Sequence, residues 1–264
     1  MIDKVVSNKP FPNTYEVLKI VFPEQQNNRT TEIIHSAANS RLRIWAENAH
    51  LLEPDLIEWI DHIPDGKILY DLGACTGIFS LYAAINNKNV YSFEPDAQNF
   101  SALELNKYFN RNAIRGTLQT FNCALSSETK IEKLFQKFYG AGEHVKILSQ
   151  PRTRNEDEIF QSEYIQNVMS FSLDEFVNIF SIPAPNYLKI DVDGSELNVI
   201  NGMRSCLKST NLQSIFIELD ESTPHHKTVI DIVCQNGFSL SKKNPVWQVK
   251  GGYVENLFNY EFNR

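Results

Sequence analysis

The sequence predicts an α/β fold with a mostly parallel sheet, and three observations support this prediction. From residue 67 onward, short apolar segments alternate with segments of helical spacing, as in strands connected by covering helices. A turn with two glycines follows the first of these strands. Near the end of the chain, two strand-like segments follow each other without a helix between them, which indicates an antiparallel edge.

Each predicted element of this α/β region is short and bounded by turn residues. The apolar runs predict strands at 67–74, 89–96, 117–127, 185–194 and 212–221. Segments of helical spacing predict helices at 78–87, 97–112, 172–180, 195–209 and 225–237. Ser172 and Ser195 are the expected helix starts, and Gly237 is the expected stop of the last helix. The closing strand pair is predicted at 238–252 and 253–262.

Two regions do not follow this alternation. Residues 1–65 are polar and show helical spacing from residue 31, with a second helix opening at Pro54. We expect a helical N-terminal extension that could cover a cleft as a lid. Residues 127–168 are charged and irregular, which predicts an insert and a candidate substrate region around His144, with Tyr139 and Glu143.

The composition is that of an ordinary globular protein. Of the 264 residues, 42% are hydrophobic, and the net charge is -7. An acidic chain without a basic cluster is a poor nucleic-acid binder, because phosphate affinity depends on Lys and Arg. The four cysteines form no C-x-x-C pair, which disfavours a zinc site or a disulfide framework. Without a signal-type or membrane-spanning apolar run, a cytoplasmic location is expected.

The turn in "YDLGACTGIFS" predicts a ligand site at the end of the first strand. Gly73 and Gly77 give a G-x-x-x-G spacing, which differs from the dinucleotide fingerprint and from a P-loop. Asp71 beside the turn would repel a pyrophosphate and attract a sulfonium or an ammonium. Glu94, at the end of the second strand, would grip both ribose hydroxyls. Together the two acids favour S-adenosylmethionine, although NAD sites use an acid at the position of Glu94 as well.

Acids at the ends of two later strands are the candidates for chemistry. Asp191 and Glu218 would lie next to each other at the sheet edge, where they could serve as a base, orient the substrate, or bind Mg²⁺. Metal binding is the least favoured of these options. His225 follows the second of these strands and is a candidate general base. Lys189 lies on the same side of its strand as Asp191, which favours a buried ion pair over a catalytic charge.

Several sequence blocks resemble the FkbM-type S-adenosylmethionine-dependent methyltransferases. These blocks are "DLGACTGIFS", "YSFEPD", "LELN", "NCALSS", "SLDEF" and, most specifically, "LKIDVDGSELNVINGM". The resemblance runs from about 67 to 258, so that 66–264 would be the methyltransferase domain. It implies a Rossmann-like class I methyltransferase fold, with a seven-stranded, mostly parallel sheet whose last strand is antiparallel. It also implies O-methylation of a hydroxyl on a sugar, a polyketide or another small molecule.

The resemblance further implies which residues hold the cofactor. Asp71 and the loop residues Gly73, Ala74, Cys75 and Gly77 would form the cofactor loop. Glu94 and Pro95 would hold the ribose, the segment Asn122, Cys123 and Ala124 would lie along the adenine, and Asp191 would sit near the methionine end. Similar proteins usually carry Asn at the position of Cys75, which puts one side-chain contact in doubt.

Three functions remain open from the sequence. The first is a methyltransferase whose partner is a small-molecule or glycan hydroxyl acceptor. The second is an NAD(P)-dependent oxidoreductase, which the missing third glycine weakens. The third is a catalytically inactive cofactor-binding protein. The sequence leaves the acceptor and the oligomeric state undetermined.

Overall fold

A computed structural model describes residues 3–6, 14–23, 30–152, 159–247 and 252–264 of the chain. The elements in chain order are β1 (Asp3–Val6), β2 (Thr14–Phe22), β3 (Thr31–Ser36), α1 (Ser40–Leu52), α2 (Pro54–His62), β4 (Ile68–Leu72), α3 (Ile78–Ile85), β5 (Asn89–Phe93), α4 (Ala97–Asn110), β6 (Thr117–Phe121), β7 (Ala124–Leu125), β8 (Lys130–Gln136), β9 (Lys146–Leu148), β10 (Tyr164–Phe171), α5 (Leu173–Phe180), β11 (Tyr187–Ile190), α6 (Glu196–Asn201), α7 (Arg204–Lys208), β12 (Ser214–Asp220), α8 (His226–Gln235), β13 (Ser239–Trp247) and β14 (Tyr253–Asn263).

The central sheet has seven strands in the order β13-β14-β12-β11-β4-β5-β6. The strands from β12 to β6 pair in parallel, while β14 runs antiparallel to both β12 and β13. The prediction of a mostly parallel seven-stranded sheet with an antiparallel last strand is therefore confirmed. The closing pair does not simply extend the edge, because the last strand is inserted between β12 and β13.

Both faces of the central sheet are covered. Successive side chains of β4 point to opposite faces, so Leu69 and Tyr70 belong to two different buried clusters. The cluster that contains Tyr70 packs against α5 to α8, and the cluster that contains Leu69 packs against α2, α3 and β3. Among the helices of the described residues, none is long and apolar enough to cross a membrane.

The prediction of a helical extension is wrong for the first part of residues 1–65. β1, β2 and β3 form an antiparallel sheet, here called the N-terminal sheet. β3 is a strand because the β-branched residues of "TEIIHS" alternate between buried and less buried positions and pair with β2. The helices at Ser40–Leu52 and Pro54–His62 are confirmed. Residues 1–2, 7–13 and 24–29 of this prediction lie outside the described residues.

The prediction of an irregular insert at 127–168 is also wrong for the three parts of this segment that form strands. β8 and β9 form a hairpin, and β10 pairs with β8 and β7. The resulting four-stranded sheet has the order β7-β10-β8-β9 and is here called the small sheet. Its strands carry many charged and polar residues because one face is exposed, which hides the alternation in the sequence. Residues 153–158 lie outside the described residues.

Candidate functional site

A cavity of about 510 Å³ opens at the carboxyl ends of the central strands. Residues that follow β4 and β5 form its floor, and residues at the ends of β11 and β12, of α1, of the loop before β9, and of the β13–β14 pair form its walls. In open parallel sheets this edge is where ligands bind, because the loops after neighbouring strands converge there. We call it the central cavity.

Gly73 is required by a close approach between two neighbouring strands. It has a φ of +78°, and a Cβ at this position would lie 1.7 Å from the backbone oxygen of Asp191. Gly77 has a φ of +81°, and its Cβ would lie 2.9 Å from Leu103 Cγ on α4. The first glycine therefore lets the loop after β4 meet the end of β11, and the second lets α3 pack against α4. Gly73 lines the central cavity, whereas Gly77 lies outside its lining.

The carboxylate of Asp71 lies behind the glycine loop, defined here as residues 73–77. The side chain is buried and accepts a hydrogen bond of 2.5 Å from Ser80 Oγ, while Lys189 Nζ is 3.0 Å from its Oδ1. Asp71 is not part of the cavity lining. Its charge is therefore compensated inside the protein. Asp71 can act on a ligand only indirectly, by positioning Lys189 and the glycine loop.

Lys189 connects the glycine loop to the end of β11. Its Nζ donates a hydrogen bond of 3.2 Å to the Gly73 oxygen and lies 3.5 Å from Asp191 Oδ2. Burial alone would lower the pKa of Lys189, but the carboxylates of Asp71 and Asp191 raise it, so the side chain stays cationic. The buried ion pair expected for Lys189 is present, and it includes Asp71 in addition to Asp191.

Glu94 is the buried acid of the cavity floor. Its Oε2 accepts a hydrogen bond of 2.8 Å from the Cys75 backbone N–H, and its Oε1 accepts one of 2.9 Å from the Asp96 backbone N–H. Burial raises its pKa to about 8, although these hydrogen bonds oppose the shift. The two bonds fix the carboxyl group at the end of β5 and link it to the glycine loop. The contact of Glu94 with a ribose stays a prediction.

Cys75 is held in a left-handed conformation, with a φ of 49°. This region is uncommon for residues other than Gly, Asn and Asp, so Cys75 carries some backbone strain. Burial raises the pKa of the Cys75 thiol to about 12, so the thiol is protonated at neutral pH. The side-chain contact expected of an Asn at this position stays a prediction.

The residues expected along an adenine are only partly in the cavity. Pro95, Cys123 and Ala124 line it. Asn122 is exposed and lies outside the lining, and its Nδ2 donates to the backbone oxygens of Glu94 and Pro95 at 2.8 and 3.1 Å. It therefore holds the end of β5 in place without facing the cavity.

Three acids from different parts of the chain share one wall of the cavity. Asp191 and Glu218 line it as the sequence predicts, at the ends of β11 and β12. Glu53, between α1 and α2, is the third and was not predicted from the sequence. Burial raises the pKa of Glu53 well above its ordinary value, and the charges of Asp191 and Glu218 add to this effect, while Lys189 opposes it. We call these three residues the acid wall.

His225, in contrast, is not brought to the cavity. It is the exposed residue before α8 and does not belong to the cavity lining. The structure therefore does not support its expected role as general base.

The opposite wall combines α1 with the loop before β9. Trp45 Nε1 donates a hydrogen bond of 2.8 Å to the Gly142 oxygen, and the Trp45 ring lies edge to face with His144 at 4.7 Å. Trp45, Glu143 and His144 all line the cavity. The sequence indicated His144 and Glu143 as candidates. It gave no signal for Trp45, whose spacing is that of an ordinary packed helix residue.

The described residues contain no group of three or more His, Cys, Asp or Glu side chains arranged to hold a metal ion.

The strand order, the glycine loop after β4 and the acid after β5 together define a Rossmann-like class I methyltransferase fold. A family model described as the methyltransferase FkbM domain matches residues 71–240, which is more than half of the chain. The chain therefore belongs to the FkbM methyltransferase domain family. The resemblance seen in the sequence is confirmed, and the matched region excludes the N-terminal sheet, α1 and α2.

Two characterised relatives share part of the chain. Hexuronic acid methyltransferase AglP of Haloferax volcanii is 27% identical over 160 residues, which are 60% of this chain and 59% of AglP. This chain therefore spans less than two thirds of the length of AglP. Methyltransferase 1 of Beauveria bassiana is 23% identical over 197 residues, which are 70% of this chain and 77% of the relative.

Solved methyltransferase structures are more distant. Methyltransferase FkbM from Methylobacillus flagellatus KT aligns with a TM-score of 0.49 and 14% identity, covering 86% of this chain and 56% of that chain. Magnesium protoporphyrin IX methyltransferase from Synechocystis PCC 6803 aligns with a TM-score of 0.48 and 9% identity, covering 87% of this chain and 86% of that chain.

Proposed function

We propose that this protein is an S-adenosylmethionine-dependent methyltransferase that methylates a hydroxyl group of a sugar or another small molecule. The observation that supports this most is that one cavity joins the glycine loop and Glu94 to the acid wall. The first set of residues suits a ribose-bearing methyl donor. The second set suits an acceptor that has to lose a proton.

The residues of the cavity floor fit S-adenosylmethionine. Gly73 lines the cavity without a side chain, so a ligand can closely approach the backbone of the loop there. Glu94 would accept hydrogen bonds from the ribose hydroxyls, and Pro95, Cys123 and Ala124 would contact the adenine. Asp191, with Lys189 beside it, would lie near the methionine end. When bound, this cofactor supplies an electrophilic methyl group that is already activated for transfer.

The acid wall supplies the proton acceptor that O-methylation needs. Lys189 Nζ lies 3.5 Å from Asp191 Oδ2, and this contact fixes the position of the carboxyl group, which makes Asp191 a good orienting group. Glu53 is the candidate base, because burial and its acidic neighbours raise its pKa. We therefore assign proton removal to Glu53 and orientation to Asp191 and Glu218.

The charged residues of the cavity indicate which class of acceptor it can bind. Its described lining includes the acids Glu53, Glu94, Glu143, Asp191, Asp193 and Glu218 and the cations Arg41, Lys146 and Lys189. Each of the three cations already lies within 4.0 Å of an acid, at Glu143, Asp96 and Asp71 respectively. A carboxylate on the acceptor would therefore compete with these acids for the lining cations. We therefore expect a neutral or amine-bearing hydroxyl compound in place of the hexuronic acid that AglP is named for.

Two measurements test this proposal. Calorimetry with S-adenosylhomocysteine and with NAD should show binding of the first alone, and Glu94→Gln should abolish it, while Glu104→Gln on α4 should not. Transfer of a labelled methyl group should then be screened over neutral sugars, amino sugars and uronic acids. Binding of NAD in place of S-adenosylhomocysteine would contradict the proposal, as would tight binding with no transfer to any hydroxyl acceptor. Preferred transfer to uronic acids would contradict the charge argument alone.

A further inference from the structure

The free edge of β3 is hydrogen-bonded by two asparagines of α4. Asn110 Nδ2 donates to the Ile34 oxygen at 2.7 Å, and its Oδ1 accepts from the Ile34 N–H at 2.8 Å. One turn earlier, Asn106 Oδ1 accepts from the Ser36 N–H at 2.7 Å. Both side chains are buried. The N-terminal sheet is thus attached to α4 by the backbone bonds that a neighbouring strand would otherwise make.

Asn106 also reaches the glycine loop, and Asn110 does not. Asn106 Nδ2 donates a hydrogen bond of 2.9 Å to the backbone oxygen of Thr76. Thr76 lies between Cys75 and Gly77 and lines the central cavity. One amide group therefore connects the backbone of β3 to the backbone of the loop.

His35 makes the second connection from β3 to Thr76. Its Nδ1 is 2.7 Å from the Ser36 oxygen, and its Nε2 is 3.0 Å from Thr76 Oγ1. Because a carbonyl oxygen only accepts, Nδ1 carries the hydrogen, and in the neutral ring Nε2 accepts from the Thr76 hydroxyl. The ring is fully buried, with an exposed fraction of 0%. Thr76 is thus held at its side chain by His35 and at its backbone by Asn106.

We propose that His35 and Asn106 are positioning residues for the cofactor, because they fix the cavity-facing Thr76 in the conformation that binds the donor. This inference rests on the proposed function, since it takes the glycine loop as the cofactor loop. It gives the N-terminal sheet a role in cofactor binding, although this sheet lies outside the residues matched by the family model. β3 acts on the loop through two contacts, the His35 ring with Thr76 and the Ser36 backbone with Asn106, and both β3 residues are far from the loop in sequence.

The test compares the affinity for S-adenosylhomocysteine in four variants at a temperature where all are folded. His35→Leu removes the acceptor for Thr76, and His35→Gln replaces it with an amide oxygen. Asn106→Ala removes the backbone bridge. Asn110→Ala is the matched control, because the same residue type on the same helix holds β3 without touching the loop. The melting temperature of each variant is recorded alongside the affinity.

We expect His35→Leu and Asn106→Ala to weaken binding about fivefold to tenfold, as the loss of one buried hydrogen bond does. His35→Gln should recover most of this loss. Asn110→Ala should lower the melting temperature and leave the affinity unchanged. A purely structural role would lower stability in all variants without changing the affinity of any, and this result would overturn the inference.

Two further outcomes keep the inference separate from the proposed function. If the wild-type protein does not bind S-adenosylhomocysteine, the proposed function fails. If His35→Leu does not fold, Thr76→Val and Thr76→Ser address the same bond from the other side. Equal affinity of these two Thr76 variants would show that the hydroxyl contact with His35 does not matter for binding.

Discussion

The two sides of the central cavity are assembled in different ways. The floor comes from one strand–helix–strand unit, in which β4, the glycine loop and β5 follow each other along the chain. The acid wall and the wall around Trp45 come from α1, the loop before β9, and the ends of β11 and β12. The floor is thus fixed by local backbone geometry, while the walls depend on contacts between distant segments. This difference predicts where substitutions are most damaging.

The largest effect is expected at the floor, in Gly73→Ala. Its Cβ would collide with the Asp191 backbone, which cannot retreat without breaking the pairing of β11 with β4. We expect a loss of several kcal/mol in the free energy of unfolding and no cofactor binding. Gly66→Ala is the matched control, because Gly66 has a similar φ of +76° and no atom within 4 Å of its Cβ. It should cost only about 1 kcal/mol, the price of the left-handed conformation.

Urea unfolding and calorimetry on both glycine variants check this prediction. Similar stability losses at the two positions would show that backbone strain, and not the close approach to β11, makes Gly73 necessary.

The second largest effect is expected at His35, which contacts the glycine loop from β3, and it concerns the pH dependence of the free energy of unfolding. Burial lowers its pKa from 6.5 to about 4. Between these two pH values the unfolded chain binds a proton that the folded protein does not, so the free energy of unfolding falls as the pH falls. Over this window the loss amounts to about 3 kcal/mol. His35→Gln cannot titrate, and its stability should therefore decline less on acidification than that of the wild type.

Unfolding curves at pH 7, 6 and 5 for the two proteins measure this difference. Glu94 acts in the opposite direction, because its raised pKa lowers the free energy of unfolding as the pH rises. This contribution is present in both proteins, so it cancels when their pH profiles are compared. If the free energy of unfolding falls equally in both proteins as the pH is lowered, His35 takes up its proton in the folded protein over this range, contrary to its hydrogen bonds.

The third effect is expected at Glu53 of the acid wall, and it concerns kcat. Glu53→Gln should lower kcat by about 100-fold, as the loss of a general base does, and leave the affinity for S-adenosylhomocysteine unchanged. The rise of kcat with pH through the raised pKa of Glu53 should also disappear. Glu58→Gln on α2 is the control, because Glu58 forms a surface ion pair with Lys242 and does not line the cavity. A normal pH profile in Glu53→Gln would assign the proton transfer to another residue.

The smallest effect on the free energy of unfolding is expected at Cys75, in the cavity floor. Cys75→Asn should raise the free energy of unfolding by up to about 1 kcal/mol, since Asn tolerates the left-handed conformation better than Cys does. Cys234→Asn, at the exposed Cys234 of α8, should give no such gain. A thermal melt of each variant measures the effect, and equal shifts at both positions would refute the assigned strain.

The same contrast explains what could be predicted from the sequence. The glycine spacing, Glu94 and the acids at strand ends belong to local patterns, and most of these residues lie in the cavity as expected. Asp71 was placed on the correct strand, but its ion pair with Lys189 hides it from the ligand. Glu53 and Trp45 could not be found, because only the docking of α1 against Gly142 and the strand ends brings them to the cavity. β3 could not be predicted, because its apolar residues also fit helical spacing and its partners β2, Asn106 and Asn110 are found only in the fold.

Apolar side chains of β2 and β3 share one buried core with the central sheet and its helices. Phe22 meets Tyr82 of α3 edge to face at 4.8 Å, and Ile33 belongs to the same buried cluster as Leu81. A chain truncated to the residues that the family model matches would expose this shared surface to water. Chimeras made to exchange acceptor specificity should therefore transfer the N-terminal sheet together with α3 and α4, as one inseparable block.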